Sequence, residues 1–183
     1  MATKQSRATK PLDAVALLKA DHRTVEDLFE KFEKARSESK KVKLAQQICT
    51  ELTIHTIIEE EIFYPACEEQ VEEDVLNEAY VEHDGAKMMI AEISAGSPGD
   101  RFYDAKVTVL SEEIKHHVKE EEQRGGLFAQ AKQAGLDMQA LGERMAARKK
   151  ELKQTFASQG LPKPTLRSMS GAKVGLGQPA AAA

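Results

Sequence analysis

Apolar residues return every three or four positions along four stretches of the chain, and within each stretch a histidine takes one of the apolar places. A repeat of that period lines one face of an α-helix. The first stripe is Val15, Leu18, His22, Val25, Phe29 and Phe32, expected on a helix from near Pro11 to Ala35. The second is Leu44, Ile48, Leu52, His55, Glu59 and Ile62, on a helix over 41–69 that follows a polar loop at 37–40. Pro65 falls inside this pattern and predicts a kink there, with the Glu61 carbonyl released. The third, Leu76, Tyr80, His83, Lys87 and Ile90, predicts a helix over 72–94, closed by the turn-forming AGSPGD at 95–100. The fourth, Val107, Leu110, Ile114, His117 and Glu121, predicts a helix capped by Asp100 and stopped at Gly125–Gly126. A fifth helix over 137–157 carries Leu141, Met145, Leu152 and Phe156 on one edge. Residues 1–10 and 158–183 lack such a pattern and are expected to be disordered, leaving 11–157 as one helical domain.

A polar group in an apolar stripe must be satisfied internally, because burying it unpaired costs on the order of 1–3 kcal/mol. One histidine so placed is ordinary. Here four of the chain's five occupy such positions, and two carry a glutamate one turn later: His55 with Glu59, and His117 with Glu121. Residues at i and i+4 lie one above the other, so each pair can offer an imidazole nitrogen and a carboxylate to one point. Mixed imidazole and carboxylate donors suit redox iron better than a structural zinc, which prefers closed Cys and His sites. His22, His55, Glu59, His83, His117 and Glu121 are therefore the expected metal ligands. No His-Glu-x-x-His protease motif is present. The carboxylate bundles that need two Glu-x-x-His pairs find only Glu113 to His116, and His116 lies off the stripe, exposed or behind the centre.

Composition narrows the surroundings. A formal net charge of −4 leaves no dominant nucleic-acid footprint, although Lys and Arg outnumber acids beyond residue 140. There is no apolar run of about 20 residues for a membrane span, and MATKQSRATK does not read as a secretory leader. A cytoplasmic setting without a membrane partner is the expectation. Cys49 and Cys67, on one continuous helix, would stand about 27 Å apart and remain separate thiols.

The segments LLKADHRTVEDLFEKFE, HTIIEEEIFYPA, EAYVEHDGAKMMI and EEIKHHVKEEE resemble the hemerythrin-like, or HHE cation-binding, family over roughly residues 12–150. The resemblance implies an all-α, up-down four-helix bundle holding two non-haem irons with a bridging oxo or hydroxo group. It makes His22, His55, His83 and His117 terminal ligands, with Glu59 and Glu121 as bridges. The chain departs from oxygen-carrying members where it has Lys87 in place of a second histidine on the third helix. It also departs where the helix 4 carboxylate follows its histidine by four residues instead of five, with Glu122 as the fallback bridge. The segment Gly125-Gly126-Leu127-Phe128-Ala129 replaces their Leu-Phe-Pro ending. Lys87 is expected to reach outward. The position it leaves open falls to Tyr80, Glu60 or water. An extra open position favours chemistry on dioxygen, hydrogen peroxide or nitric oxide, including a catalase-like decomposition of peroxide, over reversible carriage. An oxygen or iron sensor, and iron storage or supply, are the alternatives.

Overall fold

The computed structural model describes residues 12–170, so the expected start at Pro11 and the segments 1–10 and 171–183 lie outside the described residues. The chain forms α1 (Ala14–Glu33), α2 (Glu38–Ile58), a π-helical turn (Glu59–Phe63) running directly into α3 (Tyr64–Cys67), then α4 (Glu73–Ala95), α5 (Tyr103–Glu122), α6 (Leu127–Gln133) and α7 (Met138–Gln159). No strand occurs among the described residues. Four of these make the bundle: α1 packs on α2, α2 on α4, α4 on α5, and α5 closes back on α1.

Caps and turns correct the expected boundaries. The Asp13 side chain accepts from the Ala16 N–H and starts α1. Helix α2 begins at Glu38, so the polar stretch 37–40 is already its first turn. Asp100 does not cap α5. Its carboxylate is spent inside the preceding turn, on the Ser97 N–H at 2.7 Å, and the helix begins three residues later. The kink at Pro65 takes the form of the wide turn before it, where the Tyr64 N–H reaches back five residues to the Glu59 carbonyl. Proline has no N–H for an α-helical bond to Glu61, and its ring would crowd that carbonyl. A wider turn relieves both problems.

The core falls into two apolar clusters with a polar layer between them. One holds Leu18, Ile54, Ile58, Phe63, Leu127, Phe128, Leu141 and Met145 among others. The other holds Val25, Phe29, Phe32, Ile48, Leu52, Leu110, Ile114 and Val118. His22 lies in sequence between Leu18 and Val25, and His55 between Leu52 and Ile58, so the histidine layer sits where the clusters part. Cys49 and Cys67 fall in different clusters and are free thiols.

Two features come from outside the bundle. Helix α7 lies along α1, α2 and the π turn. A Cβ at Gly142 would stand 2.3 Å from the Leu12 carbonyl oxygen, so only glycine permits that approach. The stretch expected to be disordered from residue 158 divides. Ser158 and Gln159 finish α7, and residues 160–170 carry no regular structure. They nevertheless lie against the bundle, because the buried Asp84 carboxylate accepts from the backbone N–H groups of Arg167, Ser168 and Met169. Composition carries no sign of this anchor, since it depends on one acid from a distant helix.

Candidate metal centre

The six expected ligand residues converge in the polar layer, all of them buried. They form two groups whose ligand atoms lie within 4.8 Å of one another: His22, His55, Glu59 and Glu121, and then Glu59, His83 and His117. Glu59 belongs to both. Within the groups the imidazoles face each other as pairs, His22 Nε2 at 3.2 Å from His55 Nε2 and His83 Nε2 at 3.3 Å from His117 Nε2. Glu59 Oε2 stands 3.1 Å from His55 Nε2 and 3.4 Å from His83 Nε2. Glu121 Oε2 stands 3.3 Å from His22 Nε2 and 3.6 Å from His117 Nε2. Each glutamate thus touches one imidazole of each pair.

Both oxygens of Glu59, and Oε2 of Glu121, are buried without a hydrogen-bond partner among the described residues. An unpaired carboxylate in such a place costs on the order of several kcal/mol unless a cation meets it. Facing nitrogens make the same demand, since two lone pairs at about 3 Å require a proton or a metal between them. Burial alone would push His55 down, but Glu59, Asp21 and Glu121 outweigh it and hold the imidazole up at about 10. Burial would raise Glu59, but His55 and His83 hold it well below the usual carboxylate range. His117 is likewise raised, by Glu121 and Glu82 against burial. Protons therefore fill the role in which a cation would replace them. The donor set fits a metal.

Behind each imidazole stands a carboxylate. Nδ1 of His22 meets Glu122 at 2.8 Å, Nδ1 of His83 meets Glu60 at 3.1 Å, and Nδ1 of His117 meets Glu82 at 2.7 Å. Asp21 Oδ2 lies 3.8 Å from Nδ1 of His55, and neither atom has a hydrogen-bond partner among the described residues. Such outer partners fix the ring and leave Nε2 to face inward. Glu122, the fallback bridge, and Glu60, a candidate for the open position, are both placed in this outer role. His116 is exposed, 3.3 Å from Glu82 and 3.5 Å from Glu120, in a surface cluster with Glu78.

Two positions differ from expectation. Tyr80 is half-buried and meets the ring of Tyr64 edge-on at 5.2 Å. It is Tyr64 that reaches the centre, its hydroxyl donating to Glu121 Oε1 at 3.1 Å and lying 3.1 Å from His83 Nε2. At about 100° per residue, nine residues of α-helix after His55 would turn Tyr64 to the far face. The extra residue of the π turn brings it back toward the core, a shift that a strict helical period cannot register. Burial, with Glu121 and Glu59 nearby, holds the Tyr64 hydroxyl protonated well above its ordinary value. Lys87 does not reach outward. Its ammonium is mostly buried and bonds Glu60 at 2.7 Å, Asp84 at 3.0 Å and the Thr165 carbonyl at 3.1 Å.

Beside the imidazoles is a cavity of about 10 Å³, lined on its apolar side by Val25, Leu52, Ile114 and Val118. Phe128 stacks on the His22 ring at 5.8 Å. Burial, together with Glu121 and Glu59, pushes the Cys67 thiol up to about 12, so it stays protonated.

The fold and site define a helical bundle with a buried His and Glu cation-binding centre. The chain belongs to the hemerythrin HHE cation binding domain family, which matches residues 13–124. A hemerythrin HHE cation binding domain-containing protein from Mycobacterium kansasii has the same fold, with a TM-score of 0.67 and 23% identity over 82% of this chain and 95% of that one. A DNA nickase from Nostoc sp. strain PCC 7120 is 29% identical over 106 residues, or 58% of this chain. The match spans about 30% of the length of that relative. No helix among the described residues is long and apolar enough to cross a membrane.

Proposed function

We propose that the chain is a non-haem di-iron protein that binds and reacts with small oxidants of the size of dioxygen, hydrogen peroxide or nitric oxide. The observation that carries this reading is the pairing of the imidazoles. Two Nε2 pairs, each facing inward, share Glu59 between them, and Glu121 touches one member of each. His22 and His55 would hold one iron and His83 and His117 the other, with Glu59 and Glu121 spanning both. A pair of irons supplies two electrons to a small oxidant.

The chain's own groups do the remaining work. Three outer carboxylates hold the Nδ1 atoms of His22, His83 and His117 by hydrogen bonds, and Asp21 faces that of His55 at 3.8 Å, so the rings keep their orientation when a cation leaves. Tyr64 holds a proton at its hydroxyl, donated to Glu121 Oε1 and lying beside His83 Nε2, and so orients that carboxylate within the centre. The cavity has room for about one water-sized molecule and is apolar on one side, which selects small, uncharged guests.

The test is to load ferrous iron without air, measure iron per chain, then admit oxygen and follow the visible spectrum. Two irons per chain with rapid, irreversible passage to a diferric spectrum is the expected result. A band that persists and vanishes when oxygen is withdrawn would instead make the protein a carrier. Fewer than two irons, or no response to any of the three oxidants, overturns the reading.

A further inference from the structure

The family match ends at residue 124, yet two of the four outer carboxylates are held by residues beyond it. Lys149 of α7 pairs with Asp21, the carboxylate facing His55 Nδ1. Arg167, in the segment after α7, donates from Nε to Glu60 Oε2 at 3.2 Å, and the other Glu60 oxygen meets His83 Nδ1. His22 and His117 differ. Glu122 is held by Lys19 at 3.2 Å and Arg23 at 2.9 Å, and Glu82 by His116, all from within the bundle.

We infer that residues 138–170 form a clamp on the metal centre, positioning His55 through Lys149 and Asp21, and His83 through Arg167 and Glu60. These two histidines belong to different pairs, and both flank Glu59 Oε2, so the clamp acts on the shared glutamate from two sides. The clamp is built to stay in place. Arg148 forks onto Glu61 of the π turn at 2.7 and 3.1 Å, gripping the turn that carries Glu59 and Glu60. At the other end, three successive backbone N–H groups and the Ser168 hydroxyl close on buried Asp84. Lys87 ties that anchor to Glu60. Lys149 and Arg167 are positioning residues: they act on the imidazoles through a carboxylate and touch no ligand atom.

The inference rests on the di-metal reading, so its test separates the two. In the whole 183-residue chain, Lys149→Ala and Arg167→Ala are compared with Lys153→Ala, which removes an α7 cation that pairs with Glu51. Cobalt(II) affinity is read by competition with a chromophoric chelator, and the imidazole nitrogen signals of the metal-free protein by NMR. Loss of an outer partner typically costs about 10–100-fold in affinity. One step further out, each clamp variant is expected to lose about tenfold, with Lys149→Arg and Arg167→Lys recovering part of it and Lys153→Ala unchanged. In the metal-free protein, Lys149→Ala should shift the His55 Nδ1 signal alone and Arg167→Ala the His83 Nδ1 signal alone. If affinity and both signals match the wild type while two metals still bind, the clamp is wrong and the centre stands. If the wild type binds no metal, the proposed function fails and the nitrogen signals alone decide the clamp. Equal loss in Lys153→Ala also overturns it, since the effect is then general to α7.

Discussion

His22 and His117 differ from His55 and His83 in where their support comes from. All four point Nε2 inward and face a carboxylate at Nδ1, yet the first two find their supporting partners on bundle helices. The other two draw in addition on α7 and on the chain after it, through Lys149 on Asp21 and through Arg167, which joins Lys87 on Glu60. The inner half of a site can be set by helical register alone, because i,i+4 spacing fixes which side chains meet. An outer half assembled from distant segments requires the chain to return to the bundle, and this chain does so over residues 138–170.

The largest perturbation of that comparison should come from its shared element. Glu59→Ala removes the glutamate common to both groups, so iron per chain should fall to near zero, a loss greater than the roughly 10–100-fold expected for an outer partner. Circular dichroism should remain helical, because the two apolar clusters on either side are untouched. Glu122→Gln and Glu60→Gln probe one outer carboxylate from each half. Each is expected to weaken binding about 10–100-fold, measured with cobalt(II). Equal losses would show that the two halves contribute alike despite their different supports.

A smaller effect distinguishes the metal-free from the loaded protein. Glu59 is depressed, so its contribution to stability is present above about 4.5, its ordinary value, and is lost as pH falls. His55 is raised, so its contribution is full below about 6.5 and is lost as pH rises through about 10. The metal-free protein should therefore melt highest between these limits and lose Tm as pH climbs toward 10. Loaded protein should behave oppositely on the alkaline side, because protons compete with the cation for Nε2. Parallel melting curves with and without metal would contradict the placement of that proton. The smallest change should be His116→Ala, within about twofold in metal affinity, since exposed pairs contribute little. A sharp loss there, with His117→Ala silent, would shift the register of α5.

Much of this was legible in the chain. The stripes place His22, His55, His83 and His117 in phase with the core, and the structure brings all four together with Glu59 and Glu121. The same period gives no place at the centre to Tyr64, because one extra residue in the π turn rotates everything after it, and Pro65 alone does not reveal how wide the turn will be. Asp100 has the composition of a cap, but its carboxylate found a nearer N–H. Lys87 read as a surface lysine because its partners, Glu60, Asp84 and Thr165, are remote or lie in a segment without periodicity.

What the sequence by itself determined is the bundle and its inner centre, since both follow from which residues share a helical face, a local property. What only the tertiary structure decided is the outer layer: Tyr64 at the centre in place of Tyr80, Lys87 turned inward, and residues 160–170 held on Asp84. Those contacts join positions as far apart as Asp21 and Lys149. No spacing rule links such pairs, and only the folded chain brings their charges within reach.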